Sequence, residues 1–102
     1  MKIYWSDFAV EMLLEIHNYY KEKASPSLAR KNKNEIFTAA QQLKTQPASG
    51  QIEFTLEKLK EGHRYLIYGN YKIIYKEIPE GLLITDVFDT RQDPIKLNDE
   101  KR

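Results

Sequence analysis

The spacing of apolar positions changes along the chain, and this change predicts helices in the first half and strands in the second. From Phe8 to Tyr19, apolar side chains recur every three or four positions, which places them on one face of a helix. Ser6 precedes this run and can act as its N-cap. The pattern therefore predicts a helix over about residues 6–24, preceded by a short apolar strand at residues 2–5.

A second helix is predicted to begin directly after the first. Ser25 can serve as an N-cap, and Pro26 then occupies the first helical position, where its missing N–H leaves no hydrogen bond unmade. Apolar positions continue at helical spacing from Leu28 to Leu43. We therefore expect a helix over about residues 26–46, joined to the first by a tight turn, so that the two helices run antiparallel.

Residues 47–62 give no single periodicity. A Pro/Ser/Gly-containing opening is followed by alternating apolar and charged residues, which suits either an extended arm or a short helix. As an extended arm, the segment would be anchored on the rest of the protein by four apolar side chains: Ile52, Phe54, Leu56 and Leu59.

Strands dominate the second half of the chain. Two of them, at about 63–68 and 71–77, meet across Gly69-Asn70, because glycine supplies the positive φ that a two-residue hairpin turn requires. A third strand is predicted at about 82–88. The expected fold is α+β in a single domain, residues 1–102: an N-terminal strand, a helical hairpin and then a three-stranded antiparallel meander, with the helices packed on one sheet face.

The two-residue hairpin loop also fixes which side chains share a sheet face. Tyr68 lies opposite Tyr71, and paired residues point the same way. The face expected to pack on the helices carries Arg64, Leu66, Tyr68, Tyr71, Ile73 and Tyr75. The other face carries His63, Tyr65, Ile67, Lys72, Ile74 and Lys76. Its cations and aromatic ring suit a nucleic-acid surface, but they equally suit a solvated sheet face, and the pattern does not decide between the two.

Composition limits the classes of function. The net charge is only +1, so contact with a polyanion would need a local cluster of cations. The sequence contains no cysteine and only two histidines, so we expect neither a disulfide nor a metal site, and no phosphate-binding loop or other cofactor motif is present. No apolar run approaches the length of a membrane span, and the first nine residues, MKIYWSDFA, do not resemble a secretory signal. We therefore expect a cytoplasmic protein.

Four segments carry a resemblance to a known family. They are IHNYYKEKASPSLA (residues 16–29), Pro47-x-x-Gly50, GHRYLIYGNYKIIY (residues 62–75) and VFDTRQDP (residues 87–94). In this order and spacing they resemble the RelE/ParE superfamily of bacterial toxins. The resemblance implies a growth-inhibiting toxin of a type II toxin–antitoxin system of the plasmid-stabilisation type, neutralised by a small antitoxin protein.

The resemblance implies two competing mechanisms. RelE-like members cut mRNA on the ribosome, using basic residues to activate the ribose 2′-OH and to stabilise the charged phosphorane. ParE-like members instead inhibit DNA gyrase and need no catalytic residues of their own. Tyr19-Tyr20, Ser25-Pro26 and the run from Thr90 to Pro94 look closer to the ParE-like branch. A third hypothesis is an adaptor domain that keeps the fold without toxicity.

Three residues are catalytic candidates if the chain is RelE-like. Lys72 stands where RelE-like toxins place an arginine in the hairpin strand, Arg91 stands near their C-terminal arginine, and His63 occupies a position that is often lysine. Two departures weaken a RelE-like site. Lysine lacks the bidentate fork with which arginine holds a phosphate, and Leu97 or a neighbour stands where a terminal tyrosine would be expected.

Five further residues are candidates for contact with the target or the antitoxin: Arg64, Tyr65, Lys76, Lys58 and Lys60. Arg64 falls on the opposite face from Lys72, so we expect it to form a salt bridge beside the helices or to contact the antitoxin. If the Lys72 face is functional, Lys72→Ala together with Arg91→Ala is expected to relieve growth arrest without disturbing the fold.

Overall fold

The computed structural model describes residues 1–98, in which a helical hairpin packs on one face of a sheet. The elements are β1 (Ile3–Trp5), α1 (Asp7–Lys23), α2 (Pro26–Gln41), β2 (Gln51–Ile52), β3 (Arg64–Tyr68), β4 (Tyr71–Ile78) and β5 (Gly81–Asp89), with short 3₁₀ helices at Gln42–Lys44, Phe54–Leu59 and Pro94–Asn98. Within these residues the five strands form one sheet in the order β1-β5-β4-β3-β2. Among the strand pairs within residues 1–98, only β1 and β5 run parallel. The predicted α+β fold is confirmed.

Both helices begin at the predicted caps. The Ser6 hydroxyl accepts a hydrogen bond from the Ala9 amide at 3.0 Å, and the Ser25 hydroxyl accepts one from the Leu28 amide at 3.0 Å. The second helix is shorter than predicted, because α2 ends at Gln41 and the chain tightens into a 3₁₀ turn before Pro47. None of the helices in residues 1–98 is long and apolar enough to cross a bilayer.

The predicted hairpin register is confirmed. Tyr68 pairs with Tyr71, and Leu66 pairs with Ile73 across β3 and β4. Gly69 has a φ of 56°, the positive value that the tight turn requires at this position. The side chains therefore divide between the two sheet faces as the sequence indicates.

The face with the tyrosines packs against the helices. Tyr71, Ile73 and Tyr75 are at most 4% exposed and lie in one apolar core with residues of both helices and of β5. The other buried members of this core are Ala9, Leu13, Ile36, Ala40, Leu43, Leu82, Ile84 and Val87. This confirms the prediction of which face the helices cover.

The opposite face carries a second, smaller core. Ile74 is fully buried there beneath Leu56 and Leu97, with Phe88 beside it and Tyr65 at the margin. Residues 47–62 supply Leu56 to this cover and combine both forms left open by the sequence, since β2 pairs with β3 and the 3₁₀ helix Phe54–Leu59 follows it. The other three expected anchors, Ile52, Phe54 and Leu59, are instead exposed. A nucleic-acid surface and a solvated sheet face, the two interpretations of the sequence, both require this face to be uncovered. The centre of the face is instead covered.

Tyr75 fixes the point where residues 47–62 meet the sheet. Its hydroxyl accepts a hydrogen bond from the Gly50 amide at 2.9 Å and donates one to the Pro47 carbonyl at 3.0 Å. Nη1 of Arg64 donates to the Gly50 carbonyl at 2.8 Å. A side chain at Gly50 would collide with the Tyr75 ring, so glycine is required there. We call residues 51–62, which follow this fixed point, the arm.

Candidate functional site

Lys72 lies on β4 and is bound to the arm. Its Nζ is 2.6 Å from Oε1 of Glu53 and 4.3 Å from the centre of the Tyr65 ring. The Glu53 side chain is 4% exposed and that of Lys72 is 19% exposed, so water screens this ion pair only weakly. Contrary to the expectation from the sequence, we expect replacement of Lys72 to destabilise the protein, because its removal would leave a buried carboxylate without a counter-ion.

Lys76 makes a second, more open bridge to the arm. Its Nζ lies 2.8 Å from Oε2 of Glu61, whose side chain is 45% exposed. The hydrogen bond from Lys76, with its charge, lowers the pKa of Glu61 below the ordinary value. Both lysines of this sheet face therefore point to carboxylates that the arm supplies.

His63 is buried where the arm joins β3. Its carbonyl accepts a hydrogen bond from the Glu53 amide at 2.8 Å, and its ring Nδ1 makes no hydrogen bond within the described residues. Burial lowers the pKa of His63, and the positive charge of Lys76 adds to this effect, whereas Glu61 and Glu53 oppose it. The imidazole is therefore neutral near pH 7.

Together these residues form what we call the ion cluster: Glu53, Glu61, His63, Lys72 and Lys76. Its two carboxylates balance its two ammonium groups, and its imidazole is neutral. A phosphate entering the cluster would have to displace a carboxylate that already occupies each lysine. The arrangement therefore suits attachment of the arm better than recognition of a polyanion.

Arg91 lies on the helix side of the sheet, away from the ion cluster. Asp89 pairs with Tyr71 on the helix-facing side, after an irregularity between Ile74 and Tyr75 that shifts the register of β5 on β4. Arg91 donates to Asp89 from Nε at 2.9 Å and from Nη2 at 2.8 Å. The hydrogen bond from the guanidinium lowers the pKa of the Asp89 carboxyl. The three catalytic candidates thus do not meet: His63 and Lys72 share one face, and Arg91 lies on the other.

Arg91 lines a cleft between α1 and the end of β5. The cleft has a volume of about 420 Å³. Its lining residues are Met12, Glu15, Ile16, Tyr19, Tyr71, Val87, Asp89, Arg91 and Gln92. Beside it, the Tyr71 hydroxyl donates to the Tyr20 hydroxyl at 3.3 Å, and burial raises the pKa of Tyr71 above its ordinary value. Sequence reasoning missed this cleft, although Met12, Ile16 and Tyr19 recur at helical spacing, because the side taken by Arg91 depends on the register of β5.

The remaining candidates lie in different surroundings. The Tyr65 hydroxyl donates to Oε1 of Gln51 at 3.1 Å, which adds a further contact between β3 and the arm. Arg64 donates a hydrogen bond to the Gly50 carbonyl, in place of the salt bridge expected beside the helices. Lys58 and Lys60 are exposed near the end of the 3₁₀ helix of the arm. Of the five proposed contact residues, these two lysines are the ones most open to a partner.

Comparison with known proteins agrees with the sequence resemblance. A family model described as the ParE toxin of the type II toxin–antitoxin system parDE matches residues 3–94. No curated protein sequence matches the chain. A solved structure of the chromosomal ParDE toxin–antitoxin system from P. aeruginosa superposes with a TM-score of 0.72, covering 87% of this chain and 95% of that chain. The two chains are 16% identical, so this likeness concerns the fold.

Proposed function

The chain belongs to the ParE toxin family of type II toxin–antitoxin systems, and from this membership we propose that it inhibits growth by binding DNA gyrase in the cytoplasm and is neutralised by a cognate antitoxin. The observation that favours binding over RNA cleavage is the pairing of every catalytic candidate cation with a carboxylate. Lys72 is paired with Glu53, and Arg91 is paired with Asp89.

Cleavage of RNA through the 2′-OH requires a base near the hydroxyl and cations that converge on one phosphate. Lys72 and Arg91 lie on opposite sides of the sheet and do not converge. The neutral His63 has the protonation state of a base, but it is 6% exposed and offers little room for a ribose. This geometry supports a toxin that acts by binding a protein target.

Two assays on the purified toxin test this proposal. Gyrase supercoiling of relaxed plasmid should be inhibited in proportion to toxin concentration, and toe-printing of mRNA on translating ribosomes should show no toxin-dependent cleavage. Preincubation with the protein encoded by the adjacent reading frame should restore supercoiling, which tests neutralisation separately.

Other results would assign other functions. Cleaved mRNA with unaffected supercoiling would identify a ribosome-dependent endoribonuclease. Normal growth of cells in which the toxin is induced without its antitoxin would instead support a non-toxic adaptor, and would contradict both toxin mechanisms.

A further inference from the structure

The cleft between α1 and β5 follows the helix for two turns. Met12, Ile16 and Tyr19 face it at helical spacing, and Val87 of β5 contributes from the sheet. The seven-residue step from Met12 to Tyr19 spans about 10 Å along the helix axis. The volume of about 420 Å³ falls within the range of sites that bind ligands. This floor can therefore accept an apolar side chain together with part of the segment that carries it.

An oriented arginine stands beside this apolar floor. Asp89 binds the edge of the Arg91 guanidinium formed by Nε and Nη2, and the side chain remains 55% exposed. In the described residues Nη1 donates no hydrogen bond, so the edge formed by Nη1 and Nη2 is available. Such an edge can hold a carboxylate through two parallel N–H···O bonds, and Asp89 has already restricted the rotation of the side chain.

The charges of the cleft favour one carboxylate over a polyanion. Arg91 offers one free guanidinium edge, which a single carboxylate can occupy, whereas the further charges of a run of phosphates would meet the carboxylates of Asp89 and Glu15. The open side of the cleft, where Tyr19 is 54% exposed, suits a chain that continues past it rather than an enclosed small molecule. The fitting occupant is a protein segment with one apolar and one acidic side chain.

We propose that this cleft is a docking site for the antitoxin, which places an aliphatic side chain between Ile16 and Val87 and a carboxylate on the free edge of Arg91. The proposal rests on the proposed function, because the toxin–antitoxin family implies an antitoxin as the protein partner, whereas gyrase is the proposed target and is the competing occupant in the test. It adds a defined surface and a defined pair of anchors. Arg91 is then a binding residue, and Asp89 is the positioning residue that directs it.

The test uses the full-length toxin and, as the probe, the purified protein encoded by the adjacent reading frame. Arg91→Glu should weaken the complex about tenfold to hundredfold, because it removes a charged contact and repels the incoming carboxylate. Gln92→Trp should weaken it comparably by filling the cleft from its exposed rim. Dissociation constants are measured by isothermal titration calorimetry, and thermal unfolding verifies that each variant is folded.

Matched controls lie elsewhere on the surface. Arg30→Glu reverses an exposed charge on α2, and Gln46→Trp adds the same bulk to an exposed loop. Both should retain the affinity of the unmodified toxin. An Asp→Arg or Glu→Arg substitution in the antitoxin that restores binding to Arg91→Glu would identify the partner carboxylate.

The outcomes separate this inference from the proposed function. A wild-type complex that tolerates both cleft substitutions overturns the docking site alone, while neutralisation stands. The absence of any wild-type complex overturns neutralisation and the docking site together. Variants that lose gyrase inhibition while keeping antitoxin affinity would assign the cleft to the target, and would also overturn the inference.

Discussion

Asp89 and Glu53 each direct one cation, but with different consequences. The Lys72 ammonium contacts both Glu53 and Tyr65, and the Lys72 side chain is 19% exposed. Asp89 binds one edge of the Arg91 guanidinium, and the Arg91 side chain remains 55% exposed. An ammonium group concentrates its charge at one atom, whereas a guanidinium presents two edges. Pairing with one carboxylate therefore holds Lys72 within the protein but leaves one edge of Arg91 free to bind a partner.

His63 should make the stability of the protein depend on pH. Burial keeps its pKa in the folded state below the ordinary value of 6.5. As the pH falls below 6.5, the unfolded chain therefore binds a proton that the folded protein does not accept, and the free energy of unfolding decreases until the folded-state pKa is reached. Urea unfolding followed from pH 8 to pH 5 measures this loss, which should be smaller in His63→Gln.

The matched control for this experiment is His17→Gln, which makes the same change on α1. This variant retains His63 and should keep the decrease in stability below pH 6.5. An unchanged pH profile in His63→Gln would show that another group causes the dependence. Protonation of Glu61 affects a lower range of pH, since its pKa is below 4.5.

At the level of elements, the ion pair between Lys72 and Glu53 attaches the arm to the sheet. Lys72→Met should decrease the free energy of unfolding by about 1–3 kcal/mol, because it leaves a carboxylate 4% exposed without its counter-ion. Chemical denaturation measures this change. If Lys72→Met loses toxicity, the lower stability of the variant must be ruled out as the cause before a contact between Lys72 and the target is inferred.

Two further variants test whether the loss of stability in Lys72→Met comes from the ion pair with Glu53. Lys58→Met removes an exposed lysine of the arm and should change the free energy of unfolding by less than about 0.5 kcal/mol. Combining Lys72→Met with Glu53→Gln should restore part of the lost stability, since the buried charge is removed as well. Equal effects of Lys72→Met and Lys58→Met would contradict the importance of the pair.

The sequence predicts those elements whose signals are local. Ser6 and Ser25 mark the helix starts because a cap acts within three residues, and Gly69 fixes the register of β3 on β4 because the hairpin loop is short. The partners of Lys72 could not be predicted in this way. Glu53 belongs to a segment whose pattern suits two conformations, and only tertiary packing brings its carboxylate to β4.

The side of the sheet on which Arg91 lies also could not be predicted from the local sequence. Its side of the sheet depends on the pairing of β5 with β4, which shifts between Ile74 and Tyr75. An irregularity that inserts one residue moves every later side chain to the other face. The sequence around this position contains no signal for such a shift, so whether Arg91 joined Lys72 could not be decided without the structure.

For the whole molecule, a net charge of +1 and the pairing of Lys72 and Lys76 with carboxylates predict weak binding to nucleic acid. Single-stranded RNA should bind no more tightly than about 100 µM at physiological salt, at the weak end of non-specific binding. The affinity should change little with ionic strength, because few phosphates would be neutralised. Fluorescence anisotropy with a labelled RNA oligonucleotide measures both quantities.

Releasing the lysines of the ion cluster should reverse this behaviour. In Glu53→Gln combined with Glu61→Gln, Lys72 and Lys76 lose their counter-ions, and the salt dependence of log K should steepen by about 1.4, or 0.7 per cation. Circular dichroism verifies that the variant is folded. Submicromolar binding by the unmodified toxin, with a steep salt dependence, would contradict the assignment of these lysines to the arm.

The parallel pairing of β1 with β5 bears on when the toxin can first act during its synthesis. Ile3 of β1 lies opposite Leu82, so the beginning of the chain finds its sheet partner only after some eighty residues have followed it. A nascent chain that stops before β5 therefore lacks the strand that joins β1 to β4, one wall of the cleft and Arg91. The proposed activity and the proposed antitoxin docking both require β5, so a product truncated before this strand should have neither.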